Sequence, residues 1–391
     1  MSRIARFLRV IVLLSTITAL PLACQNESSP TAKLRLPTAS PEAERTITLW
    51  HALDENERAA FEEIRRNFEA AHPALDVQLA AYPADKLLET FRQEVLAGAG
   101  PDLLVISRAD LPELVRAGLI LPLDSSLLDA IITYQAEFVF NAAMLDETPY
   151  GVAVAAEFPT LYYRRSLFTP PLASAEEFLA QIKTVGLALP PTFTATAGLL
   201  VAVDSNPIDD DGLSPEALHS YFTTLAHLAT TPTVHFTTDP TPFIQDEIAL
   251  LIASSSDYSH LRAAVGDDLG VATWPAQTWR IVARADPIVV VSLNITRQNA
   301  EAADSFLSYL VSPDAQALWF ARTGAAPANP SALAEPGLAS AWTNALRWGW
   351  PLPFDWETTL TALDRAVAEV VLQGLSADEA VEQVLSAFPH P

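Results

Sequence analysis

The amino-acid sequence predicts an α/β protein built as two lobes, each a mostly parallel sheet flanked by helices. Three observations carry that expectation. The chain has 391 residues, more than one ordinary hydrophobic core usually serves. Half of those residues are hydrophobic, enough to fill two cores. Short apolar strands alternate with amphipathic helices, the pattern of a parallel sheet covered on both faces.

The elements follow in order. Arg3, Arg6 and Arg9 precede a short apolar run that ends at Ala23. A charged head, a short apolar middle and a small residue at the end make a secretory signal. The run is too short and wrongly flanked to span a membrane. The single cysteine, Cys24, directly follows Leu20-Pro21-Leu22-Ala23. That arrangement resembles a bacterial lipobox, in which the cysteine is lipidated and becomes the mature N-terminus, although Pro21 replaces the usual aliphatic residue. Residues 1–24 are therefore expected to be a lipoprotein signal, and the polar stretch 25–45 a flexible tether.

Residues 46–50 alternate as a strand, and Ala59, Phe61, Ile64 and Phe68 recur at helical spacing after it. Residues 75–79 form a second strand, 86–97 a second helix stopped by Gly98-Ala99-Gly100-Pro101, and 102–106 a buried strand. Ligands of such sheets bind beyond the carboxyl ends of the strands, which here are residues 50–54 and 106–110. Helices are expected at 175–184, 215–229 and 243–253. The β-branched run 288–295 reads as an interior strand. A helix follows over 300–311, and Ser312-Pro313 begins the next one. Trp342, Trp348, Trp350, Phe354 and Trp356 crowd one segment broken by Pro351 and Pro353. Rings held in a loop mark a binding surface, and the flat apolar face of a pyranose stacks on such rings. One or two of them are expected to face a ligand and the rest to pack in the core. The last helices cover 358–373 and the stretch from Ser376 to Phe388.

Composition excludes several functions. A net charge of −24 argues against nucleic acid, whose phosphates demand clustered Lys and Arg. Metalloprotease, nucleophile-elbow, dinucleotide and P-loop motifs are all missing. The seven histidines show no ligand spacing, so neither metal nor cofactor is expected. Asp209-Asp210-Asp211-Gly212 fails the calcium-loop pattern, because Pro207 stands where the first ligand belongs; it reads as a solvated turn. A secreted glycosidase using Asp54 and Glu157 as an acid and base pair is the enzyme alternative.

Several motifs together resemble the bacterial extracellular solute-binding proteins of family 1, the maltose-binding-protein-like group. They are the opening strand and helix, Gly100-Pro101-Asp102, Tyr150-Gly151-Val152, Thr160 to Phe168 with Arg164 in place of the usual Asn, Glu247 to Ile252, Ser312-Pro313-Asp314-Ala315-Gln316, and Thr323-Gly324-Ala325-Ala326-Pro327. The resemblance covers nearly all of the mature chain. It implies a two-lobed periplasmic-binding-protein fold (type II) closing on its ligand by a hinge, with residues 46–155 and 286–315 in the N-terminal lobe and 156–285 and 316–391 in the C-terminal lobe. It also implies ligand carriage without catalysis, the permease subunits of an ABC importer as partners, a monomer, and an exported protein anchored through Cys24 to the outer face of the cytoplasmic membrane. The expected ligand is a sugar, with a polyol or a glycerol phosphate ester as the alternative.

Trp50, Asp54, Glu157, Tyr258, Trp274, Trp350 and Trp356 are the expected ligand-binding residues, Asp54, Glu157 and Tyr258 on the resemblance and Trp350 and Trp356 on the crowding of rings. Asp54 and Glu157 match sugar-contacting carboxylates of the family, which accept strong hydrogen bonds from hydroxyls. A helix N-cap is the competing role for Asp54. Departures are also present: Glu55 replaces a lysine, Ser256 and Tyr258 stand near two tryptophans of the family pattern, and Ala285-Asp286-Pro287 replaces a Gly-Gly pair.

Overall fold

Strand β1 (Arg45–His51) buries Ile47, Leu49 and His51 and leaves the alternate residues half-exposed, as a strand with one buried face must. It pairs in parallel with β2 (Leu75–Ala81) along its whole length. Between them runs α1 (Glu55–Ala71), whose Ala60, Phe61, Ile64 and Phe68 face the core. Helix α2 (Ala84–Leu96) does the same with Leu87, Phe91 and Val95. Strand β3 (Leu103–Ile106) is buried at every position. Two short strands, β4 (Ile120–Leu121) and β5 (Gly151–Ala153), complete this stretch. The computed structural model describes residues 45–170, 174–203, 208–209, 212–272, 281–351, 353–354 and 356–388. Cys24 with the expected signal and nearly all of the tether, Trp274, and Asp210 and Asp211 of the acidic turn lie outside the described residues.

A second sheet is built from β6 (Pro159–Arg164), β7 (Leu187–Leu189), β8 (Val234–Phe236), β9 (Leu250–Ser254) and β10 (Leu269–Ala272), in the order β8-β7-β9-β6-β10. The chain then returns to the first sheet as β11 (Ile288–Ser292), inserted antiparallel between β3 and β4 and pairing with β5 as well. Because β11 runs against β3, β4 and β5, it is the one reversed strand of the first sheet. Strand β6 holds the same place in the second, antiparallel to both β9 and β10. The remaining strands of each sheet point one way, so their carboxyl ends gather along one edge.

Asp102 shows why the Gly-Pro-Asp motif precedes β3. One carboxylate oxygen accepts from the Thr48 amide at 2.9 Å, and the other from Asn299 Nδ2 at 3.0 Å. A single buried side chain thus ties β1, β3 and the helix Arg297–Leu310 together. Charge-assisted bonds of this kind justify burying a carboxylate.

The packing differs from the sequence expectations in three places. Residues 243–253 are not one helix. A single turn, Thr241–Ile244, precedes β9, because the apolar run from Ile248 to Ile252 lies between β7 and β6 and is buried throughout. The segment 342–356 is not a ring-bearing loop: Trp342 sits in the helix Pro336–Arg347 and Trp350 in the strand Gly349–Pro351. The lobe divide expected at 315 falls inside the helix Pro313–Thr323. That helix packs on α1, with Trp319 edge-on to Phe61 at 5.7 Å and Arg322 paired with Glu63 at 2.6 Å.

Candidate ligand-binding site

A cleft of about 530 Å³ opens where the carboxyl ends of the strands gather. Ala52 and Leu53 line it just past β1, and Val105, Ile106 and Ser107 at the end of β3. Leu87 and Leu88 of α2 form an apolar wall. The position agrees with the two strand ends expected from the alternation of elements. The turn that leaves β1 is held by His51, whose Nδ1 accepts from the Leu53 amide at 3.3 Å. Burial, and then the charge of Arg58, keep this imidazole below its usual pKa, so it stands neutral as an acceptor.

The floor is made by three segments of chain that pass between the sheets. Glu157 and Arg284 exchange both backbone hydrogen bonds, each 2.8 Å. Val154 donates to Pro287 O at 2.9 Å, and Ala155–Ala156 pairs with Ala326–Pro327. A smaller cavity of about 240 Å³ continues on the second-sheet side, lined by Thr192, Thr194, Ser254 and Phe158 among others. Glu157 and Arg284 line both cavities.

The polar lining is mostly acidic. Glu57, Asp110, Glu157 and Asp286 supply carboxylates, Arg284 a guanidinium, and Ser107 and Ser256 hydroxyls. Burial is the chief reason that the Glu57, Asp110 and Asp286 carboxyls are each pushed up from their ordinary pKa. Asp286 is held by the Arg108 amide and, at 3.3 Å, by Ser107 Oγ. Arg108 turns its guanidinium away from the cleft, donating to Ala142 O at 3.0 Å and lying 3.9 Å over the Phe354 ring. Among the described residues no group of three or more His, Cys, Asp or Glu side chains is placed to hold a metal ion.

The seven expected ligand residues fare unequally. Glu157 is exposed in the cleft, and its Oε1 accepts from Ser254 Oγ at 2.8 Å. Asp54 caps α1 instead: its Oδ1 accepts from the Glu57 amide at 2.9 Å while the Glu57 carboxylate accepts from the Asp54 amide. That reciprocal box directs Asp54 at the helix, and Glu57 is the member that lines the cleft. Trp50 is half-buried against Tyr82, ring centroids 4.5 Å apart, beside the cleft and outside its lining. Tyr258 belongs to the core, between Phe320 and Trp342, with its hydroxyl donating to Glu335 at 2.9 Å. Burial and that carboxylate push the phenol up to about 12. Trp350 and Trp356 pack edge-on to one another at 5.8 Å, 9% and 5% exposed. Large rings gain more from burial among Phe193 and Phe388 than from solvent. Trp274 lies outside the described residues.

Sequence reasoning missed Arg284, Asp286 and Ser256 as lining residues. A signal was present for the first two: the apolar run Ile281–Ala283 gives way to charged residues, and Asp286 stood in the segment that departs from the family pattern. Ser256 was noted only as a substitution.

Comparison with known proteins gives the lineage. Residues 63–345 match the profile described as bacterial extracellular solute-binding protein. A binding protein of Brucella abortus (strain 2308) is 32% identical over 108 residues, 28% of this chain and 26% of that protein. The maltotriose-binding protein of Pyrococcus abyssi is 21% identical over 246 residues, 59% of this chain and 53% of that one. The chain thus spans only about a quarter to a half of the curated relatives it matches. Among solved structures, an extracellular solute-binding protein from Staphylococcus aureus in complex with maltose superposes with a TM-score of 0.74 at 15% identity, covering 88% of this chain and 96% of that one. The sugar-binding protein MalE from Xanthomonas citri gives 0.72 at 17% identity, covering 87% and 95%. At these identities the structures speak for a shared fold, and the matched profile for descent: the chain belongs to the family of bacterial extracellular solute-binding proteins.

Proposed function

We propose that the protein is the solute-binding component of an ABC importer, that its cleft takes a carbohydrate, and that it hands this ligand to permease subunits without chemical change. The observation that carries the reading is the place of Glu157 and Arg284. They stand on paired crossing segments and line both cavities, so a ligand seated at them can reach the walls on either side of the crossing. Differential contact of that kind is what drives closure about a hinge.

The lining supports a hydroxyl-rich ligand. Carboxylates and serine hydroxyls accept and donate to sugar hydroxyls, while Leu53, Leu87 and Leu88 offer apolar contact to ring carbons. The glycosidase alternative loses one member of its pair, because Asp54 caps α1. Relatives that bind maltotriose or are complexed with maltose support the sugar class. We further propose that the chain acts as a monomer, is exported, and is tethered to the membrane through lipid on Cys24.

The test is a thermal-shift panel of mono- and oligosaccharides, polyols and glycerol phosphate esters, with recovery of any bound compound for mass analysis. A ligand at one hundred times its Kd adds about 2.7 kcal/mol of stability, a shift of several degrees. A shift by one saccharide class, recovered intact, is expected. A shift by phosphate esters alone, or recovery of hydrolysed sugar, would overturn the reading.

A further inference from the structure

Glu157 and Arg284 form a hydrogen-bonded antiparallel pair. In such a pair the two side chains leave the ribbon on the same face, with Cβ atoms about 5 Å apart. Opposite charges so placed usually close into an ion pair. These two do not: Glu157 accepts from Ser254 Oγ, and among the described residues no hydrogen bond or ion pair engages the Arg284 guanidinium, which lies only in the longer-range field of Asp286 and Asp364. Both side chains are exposed at the neck joining the two cavities.

We propose that Arg284 is a specificity-determining residue of the cleft, which together with Glu157 selects a neutral saccharide by gripping adjacent hydroxyls of the ring that lies at the neck. This rests on the carbohydrate reading above and names the charge class of its ligand. Glu157 accepts from one hydroxyl, and Arg284 donates through its fork of N–H groups to the oxygen of the next. An anionic substituent at the neck meets the Glu157 carboxylate, and a cationic one meets the guanidinium, so a charged group placed there is opposed by one member of the pair. A neutral diol satisfies both. The ligand then extends a longer arm into the 530 Å³ cavity and a shorter one into the 240 Å³ cavity.

The experiment is calorimetric titration of the full-length protein with maltotriose and cellotriose as neutral probes, a glucuronate-bearing disaccharide, and a glucosamine disaccharide. Wild type, Arg284→Gln, Arg284→Lys and Glu157→Gln are compared, each with its melting temperature. A neutral probe binding more tightly than either charged one is expected. Arg284→Gln should weaken it about 10- to 100-fold, as loss of a charged hydrogen bond does, with Arg284→Lys intermediate and the melting temperatures of both unchanged. Should Arg284→Gln fold poorly, the ranking of probes on wild type and the Lys variant still decide. Wild-type affinity in Arg284→Gln, or tighter binding of a charged probe, would overturn the assignment while leaving carbohydrate binding intact. Silence of wild type toward every saccharide would overturn both.

Discussion

Arg164 Nε donates to Asp268 Oδ2 at 2.7 Å from a side chain that is only 8% exposed. The same guanidinium donates to Phe243 O and Ile244 O at 2.9 and 3.0 Å and pairs with Asp246. The arginine that departs from the family's usual residue is therefore a clamp, tying β6 to the turn before β9 and the loop before β10, and it takes no part in the cleft.

Arg164→Leu should cost about 3 kcal/mol in denaturant unfolding, the low end for losing one member of a buried pair, since both carboxylates keep some water. Asp246→Asn should cost far less, its carboxylate being mostly solvated. Equal losses for the two would sink the clamp.

Trp356→Ala should destabilise by about 3–5 kcal/mol, the cost of emptying a large buried site, and should leave ligand affinity unchanged once the fraction folded is accounted for. The ring packs on Trp350 and Phe388. Calorimetry on the variant below its melting temperature checks this; selective loss of affinity would return the ring to the cleft.

The sequence makes the fold legible because its signals are local. Strand alternation at 46–50 and helical spacing from Ala59 to Phe68 depend on neighbours in the chain, and both elements form as expected. The motif Gly100-Pro101-Asp102 marks a strand start for a reason the Asp102 network makes plain. The site was legible only in part. Where strands end is a local matter, and the lining at Ala52, Leu53 and Ser107 follows from it, whereas Glu157 came from the family resemblance. Which of Asp54 and Glu57 faces the ligand depends on the capping box, and whether Trp350, Trp356 and Tyr258 reach solvent depends on helices distant in sequence. Five apolar residues from Ile248 to Ile252 fit helix or strand alike; burial between two strands decides for the strand.

Asp286→Asn should stabilise the unliganded protein progressively as pH rises. Burial raises the folded pKa of Asp286 above its unfolded value. Its favourable contribution is therefore complete below the unfolded pKa and is lost as pH rises through the folded one. Asn cannot ionise, so the difference in melting temperature between variant and wild type should grow in the variant's favour from pH 3 to 7. A difference flat across that range would contradict the assignment.

Asp54→Ala should lower stability by about 1 kcal/mol, the usual worth of an N-cap, while weakening ligand far less than Glu57→Gln does. Parallel melting and titration curves separate the two roles, and a larger affinity loss for Asp54→Ala than for Glu57→Gln would reverse them.

Whether a saccharide sits at the crossing of Glu157 and Arg284 is tested by isothermal titration of wild type and Glu157→Ala with the saccharide that gives the largest thermal shift. A saturable one-to-one isotherm is expected for wild type and, because a charge-assisted hydrogen bond contributes about 1.5–3 kcal/mol, at least tenfold weaker binding in the variant at an unchanged melting temperature. Matching isotherms for the two proteins would mean that the ligand does not sit at the crossing of Glu157 and Arg284.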